Sequence, residues 1–217
     1  MTGKKLLKKD LFGEVWVDSS DDADLIVRDT SSATPWLRWL ARRLMRREAR
    51  ALLTLDGLGG VPELESIGDD HLARRFIDGR PLQDARPANP DFFRQATRLL
   101  RRLHVAGVVH NDLAKEPNVL VRDNGEPAFI DFQLAGVFAR RGRLFRTLAY
   151  DDIRHLLKHK RTYCPAALTA RERSILARPS VASGLWMRTV KPVYLFVTRR
   201  LLGWADREGA GDRGRQS

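Results

Sequence analysis

A chain of 217 residues with 43% hydrophobic content is long enough to fold around a real core, as one large domain or two small lobes. Its 39 Lys and Arg against 27 Asp and Glu leave a net charge of +12, which predicts attraction to a polyanion: nucleic acid, anionic lipid headgroups or a phosphorylated glycolipid. The single cysteine, Cys164, excludes an intrachain disulfide and a thiolate metal cluster, and no apolar run approaches the ~20 residues needed to span a bilayer.

The N-terminal Lys4, Lys5, Lys8 and Lys9 enclose only Leu6-Leu7, too short for the apolar region of a secretion signal, so a cytoplasmic protein is expected. From Leu11 to Val17 and again from Leu25 to Arg28 the residues read as strands of a β-hairpin, joined by a polar turn at Asp18–Asp24. Pro35–Leu55 reads as a helix. Leu37, Leu40, Ala41, Leu44, Ala51, Leu52 and Leu55 form an apolar stripe, and Arg42, Arg43, Arg46, Arg47 and Arg50 lie mainly off it. Together with Trp36 and Trp39, that arginine-rich face suits an anionic partner surface. Glu48 falls on the apolar stripe, where a buried carboxylate demands a cationic partner.

After the break at Gly57–Gly60, Val61–Ile67 and Leu72–Ile77 read as strands, the second running into Asp78-Gly79-Arg80-Pro81. A helix follows, with Asn89 as N-cap, Pro90 in the first turn and Gly107 as the stop; Phe92, Phe93, Ala96, Leu99, Leu100 and Leu103 form its buried face. It delivers the chain to Val108-Val109-His110, and His110 is assigned a structural role, anchoring the next loop by hydrogen bonds.

The most informative stretch is His110–Gln133. Asn124-Gly125 between Val119–Val121 and Ala128–Ile130 predicts a two-residue hairpin, whose register brings Asn118 opposite Asp131. The loop before it carries Asp112. Two carboxylates and an amide make a hard, oxygen-only site suited to Mg²⁺, which is commonly shared with substrate phosphates.

His110-Asn111-Asp112, then Asn118, a hairpin and Asp131-Phe132-Gln133 resemble the catalytic loop and metal-binding loop of the protein-kinase-like superfamily. Within it the chain is most similar to the small bacterial branch of lipopolysaccharide core (Kdo and heptose) kinases and to the RIO-type kinases. It departs from the family pattern in spacing Asp112 and Asn118 six apart rather than five, and in carrying Gln133 in place of the glycine of the metal loop.

The resemblance implies an α+β, bilobal fold. Residues 1–77 would form a small antiparallel N-lobe with one helix, 78–204 a mainly helical, abbreviated C-lobe, and 205–217 a flexible tail. It implies ATP and Mg²⁺ as cofactors, Asp112 orienting the acceptor hydroxyl, Lys115 neutralising the transferring phosphoryl group, and Asn118 and Asp131 holding the metal. Gly13 would lie in the phosphate loop, Arg28 would replace the ATP-orienting lysine and pair with Glu48, and Phe76-Ile77 would form the hinge against adenine.

Between Asp131 and Tyr150 lie only 18 residues, with no Ala-Pro-Glu, so the platform that docks a peptide is missing. Phe138, Arg140, Arg141, Arg143, Leu144, Phe145 and Arg146 fill that space, and an anionic small molecule or glycolipid fits such a mixture better than a peptide. Asp152–His159 reads as a helix. Leu185–Trp204 reads either as a basic amphipathic helix lying in a membrane interface or as the closing element of the C-lobe. The favoured reading is a kinase acting on an inner-core sugar hydroxyl of lipopolysaccharide, cytoplasmic or peripheral on the inner membrane face. A RIO-like Ser/Thr protein kinase and a non-catalytic pseudokinase are the alternatives. Nucleic-acid binding is disfavoured for want of a reader motif, and the sequence leaves the oligomeric state open.

Overall fold

The computed structural model describes residues 3–19 and 24–178, which belong to one compact unit. The segment Leu185–Trp204 and the tail 205–217 lie outside the described residues. The architecture is α+β, with an antiparallel sheet and five α-helices among the described residues.

Five strands form the N-terminal sheet: β1 (Lys4–Asp10), β2 (Gly13–Asp18), β3 (Leu25–Asp29), β4 (Leu64–Ile67) and β5 (His71–Arg75), in the order β1-β2-β3-β5-β4, all antiparallel. The predicted first strand is corrected here. Leu11 and Phe12 are the turn between β1 and β2, and the lysine-rich N-terminus is itself a strand whose alternation is hidden because both of its faces are exposed. Gly13 opens β2 at φ +120°, where a Cβ would collide with the Asp29 carbonyl, so the close approach of β2 to β3 requires glycine.

Helix α1 (Arg38–Thr54) crosses this sheet. Its Met45 and Ala49 pack on Leu72 of β5, while Ala51, Leu52 and Leu55, one turn further on, enter a second and larger core. That core is built on α3 (Pro90–Val105), whose six predicted buried residues are all inside. The Asn89 side chain caps α3 by accepting from the Asp91 N–H at 2.9 Å, and Gly107 ends it in the left-handed conformation.

Between the two cores the chain runs through Phe76–Gly79 into β6 (Arg80–Pro81) and the short α2 (Leu82–Ala85). Strand β6 pairs with β8 (Val119–Val121), which pairs with β9 (Pro127–Phe129). The short β7 (Val108–Val109) pairs with β10 (Gly136–Val137). Helix α4 (Arg143–Tyr163) and α5 (Ala170–Ala177) complete the described unit.

Two further expectations are corrected. The β8–β9 turn has three residues, Asp123–Gly125: Arg122 pairs with Glu126, Gly125 alone takes positive φ, and Asn124 instead accepts from the Glu126 N–H through its side chain. The register slips by one, so Asn118 lies opposite Ile130, whose N–H donates to the Asn118 carbonyl at 3.0 Å, and not opposite Asp131. Helix α4 also starts nine residues before its predicted Asp152. It takes up Arg143, Leu144, Phe145 and Arg146, and Phe145 is buried against Val109 and Ala149. Part of the basic and aromatic run is therefore structural.

Candidate active site

The site is built on the loop between β7 and β8. His110 is fully buried; its Nδ1 accepts from the Asp112 N–H at 3.3 Å, so Nε2 carries the proton and donates to the Ile130 carbonyl at 3.0 Å. Burial pushes its pKa below the usual histidine range, against the opposing pull of Asp152, Asp112 and Asp131. A neutral, doubly hydrogen-bonded imidazole is an anchor for the loop, as its sequence position suggested.

Asp112 is nearly buried, and its Oδ2 is the focus of the loop. It accepts from the Asn118 Nδ2 at 2.9 Å and lies 2.9 Å from the Lys115 Nζ. The Asn118 Nδ2 donates as well to the Asp112 carbonyl, also at 2.9 Å. The extra residue between Asp112 and Asn118 is absorbed in a 3₁₀ turn, Glu116–Asn118, so the spacing does not separate the two side chains. With its Nδ2 committed to Asp112, Asn118 has its amide oxygen left for a cation.

Asp131 follows β9 in the left-handed conformation (φ 65°, ψ 71°), a backbone cost of about 1–2 kcal/mol for a residue with a Cβ. Its Oδ1 is buried and finds no hydrogen-bond partner. An orphaned carboxylate oxygen, on the residue that follows the Asn118 partner Ile130, fits a hard cation, because such an oxygen is costly unless a cation or donor meets it. Among the described residues no three of His, Cys, Asp and Glu gather as a metal cluster.

The structure adds residues that the sequence did not single out. Asp152 of α4, 1% exposed, accepts from the His110 N–H at 2.8 Å and the Asn111 N–H at 2.9 Å, and lies 3.2 Å from the His104 Nε2. One helical face further along, the His159 Nε2 bonds the Leu113 carbonyl at 2.7 Å and the Tyr163 hydroxyl donates to Glu116 at 2.5 Å. Burial, and then this bond, raise the Tyr163 pKa to about 12, so the phenol keeps its proton. Residues 152, 159 and 163 share one α4 stripe, and together they hold the whole loop from 110 to 116. Asn111 adopts φ 64° there, and its Nδ2 donates to the Leu134 carbonyl at 3.0 Å, tying the Asp112 loop to the turn after Asp131.

Glu48 is fully buried, as its place on the apolar stripe predicted. Its Oε2 lies 3.7 Å from the Arg28 Nε, and its Oε1 lies nearer a second cation, the Arg74 Nε at 3.1 Å. Neither guanidinium N–H points at the carboxylate well enough to be a hydrogen bond, so the contact is electrostatic. Arg74 is placed there by the sheet: in β5 it shares a face with the buried Leu72, and across the β3–β5 ladder Leu72 opposes Arg28 and Arg74 opposes Ile26. Gly13 is the first residue of β2 and Phe76-Ile77 lie in the link between the two cores, with Phe76 43% exposed.

No family model matches the chain. Among curated proteins it is 32% identical over 123 residues to a protein named probable SapB synthase from Streptomyces coelicolor, a match covering 46% of this chain and 13% of that protein. It is 33% identical over 131 residues to a protein named probable bifunctional tRNA threonylcarbamoyladenosine biosynthesis protein from Methanospirillum hungatei, covering 54% of this chain and 24% of that one. The chain therefore spans about an eighth and about a quarter of the length of these two relatives.

Proposed function

We propose that the chain is a bilobal, kinase-like phosphotransferase that moves the γ-phosphate of ATP to a hydroxyl, with an inner-core sugar of lipopolysaccharide as the favoured acceptor. The observation that carries the reading is the cluster at Asp112, one carboxylate bound by Asn118 and Lys115, together with the buried, unpartnered Oδ1 of Asp131 at the end of the hairpin that follows. In this chemistry positioning and charge stabilisation supply most of the rate. The Asp112 Oδ2 is taken by its two partners, which leaves Oδ1 to accept the proton of the acceptor hydroxyl. Lys115, 61% exposed, is the cation proposed to approach a phosphoryl oxygen. Asn118 and Asp131 would hold Mg²⁺, which neutralises charge between the phosphates when bound. The N-terminal sheet with Gly13, Arg28 and Glu48 is proposed as the nucleotide side, and Phe76-Ile77 as the hinge.

The names of the two relatives, a synthase and a biosynthesis protein, lean toward an enzyme rather than a binding module. The absent peptide platform and the surplus of basic residues favour an anionic glycolipid acceptor over a protein. The membrane contact proposed is peripheral; among the described residues no helix is long and apolar enough to cross a membrane.

The test is ATP turnover with Mg²⁺ in the wild type, Asp112→Ala and Asp131→Ala, with purified lipopolysaccharide core and a generic protein as parallel acceptors. The expected outcome is a loss of about 10³-fold or more in both variants and stimulation by the glycolipid alone. Nucleotide binding without turnover in the wild type would sink the enzyme reading in favour of a pseudokinase.

A further inference from the structure

Helix α1 uses its arginines in two distinct ways. Those beside its buried face are bound within the protein. The Arg38 guanidinium donates to the Ser31 carbonyl at 2.6 Å, Arg42 makes a bidentate pair with Asp70 at 2.7 and 2.6 Å, and Arg47 donates to the Ala135 and Leu134 carbonyls at 2.6 and 3.0 Å. Arg43, Arg46 and Arg50 are different. Among the described residues no carboxylate lies within ion-pair distance of Arg43 or Arg50, and Arg46 reaches only Asp69 at 3.9 Å, a side chain 94% exposed.

These three arginines lie on one line with exposed apolar side chains. Trp39, Arg43, Arg46, Arg50 and Leu53 follow each other at steps of three and four, the spacing of a single stripe along α1, and Trp36 lies in the turn just before the helix. Trp36, Trp39 and Leu53 are 53%, 65% and 62% exposed. From Trp39 to Leu53 the stripe runs about 21 Å at 1.5 Å per residue. It has three guanidinium groups in the middle, of which only Arg46 has a carboxylate, the exposed Asp69, within reach, and large apolar groups at both ends.

We infer that this outward stripe of α1 docks on the surface of an anionic lipid bilayer. Such a surface meets both halves of the stripe: phosphate headgroups take the guanidinium groups, and the interfacial layer takes indole rings, which favour the headgroup level, and the leucine. A nucleic acid would satisfy the arginines but offers nothing to Leu53. The inward face of α1 is already committed to the protein core, so the contact is shallow, with the helix lying in the interface plane. The docking stands independently of turnover at Asp112.

The test uses the full-length protein and sedimentation with vesicles of equimolar phosphatidylglycerol and phosphatidylcholine against pure phosphatidylcholine. The wild type is expected to bind the anionic vesicles alone, with salt weakening the binding. Arg43→Glu/Arg46→Glu/Arg50→Glu is expected to lose on the order of a hundredfold in affinity, and Trp36→Ala/Trp39→Ala about tenfold. A matched charge reversal on the exposed face of α3, Arg98→Glu/Arg101→Glu/Arg102→Glu, is expected to lose far less. Circular dichroism melts within a few degrees of wild type confirm that each variant is folded. Equal losses in the α1 and α3 triple variants would mean that net charge alone drives binding and would overturn the inference. So would binding to a single-stranded RNA oligonucleotide or an acidic polypeptide, through the same stripe, tighter than to the anionic vesicles.

Discussion

Asp70 is a residue whose charge state can be followed through folding. The bidentate Arg42 guanidinium is the main cause that holds its carboxyl down at about 2, with the Thr30 hydroxyl adding to it against the cost of burial. A carboxyl whose folded pKa lies below its unfolded value, near 3.8, contributes stability that is present above 3.8 and is lost as pH falls toward 2. We expect Arg42→Ala to move the acid-unfolding midpoint to higher pH, followed by circular dichroism between pH 2 and 5, while stability to urea at pH 7 changes little, as for an exposed, solvent-screened pair. An unchanged midpoint would mean that Asp70 is not held by Arg42. Glu48 makes the complementary case: its burial was legible from the period of the helix, but the second cation beside it, Arg74, comes from a strand 26 residues later that only the sheet register places there.

At the scale of the element, α4 explains why the Asp112 loop is rigid. Asp152 takes two backbone N–H groups that no regular secondary structure would satisfy, and leaving two buried donors unpaired costs about 1–3 kcal/mol each. Asp152→Ala is therefore expected to destabilise the fold by about 3 kcal/mol in urea titrations. At low temperature, where the variant stays folded, ATP turnover should fall at least about a hundredfold with Asp112 intact. Turnover close to wild type in folded Asp152→Ala would show that the loop holds its shape without α4. The sequence marked Asp152 only as the head of a helix, because the start of α4 was placed nine residues late. Gly142 carries no side chain to cap the true start, and its first turn is a mixture of arginines with Leu144 and Phe145 that reads as a loop.

At the scale of the whole molecule, α1 joins the sheet to the Asp131 turn. Glu48 faces Arg28 and Arg74 of the sheet, and the adjacent Arg47 donates to the carbonyls of Leu134 and Ala135, the first of which also accepts from Asn111. Two neighbouring residues on one helix thus touch the sheet and the turn after Asp131. Arg47→Met keeps the length of the side chain and removes those donors. We expect it to lower the melting temperature by about 3 °C, the equivalent of about 1 kcal/mol in a unit of this size, and to lower ATP turnover by at least about tenfold. A melting shift without any loss of turnover would show that α1 supports the fold alone.

The sequence by itself determined the elements with strong periods and clear punctuation: α1 with its buried glutamate, α3 with its Asn89 cap and Gly107 stop, and the association of Asp112 with Asn118 across six residues. These are local facts, set by side-chain spacing, caps and one tight loop. It also showed a hairpin at Asn124-Gly125, but the turn type was decided by Asn124 bonding Glu126 and staying at negative φ, and that slip of one residue moved Asn118 from Asp131 to Ile130. The tertiary structure alone decided the partners drawn from distant segments: Arg74 at Glu48, Arg47 at Leu134, and Asp152, His159 and Tyr163 around the loop. No periodicity within a segment carries the identity of the segment it packs against, because that choice is made by the sheet order and by which core each helical face enters.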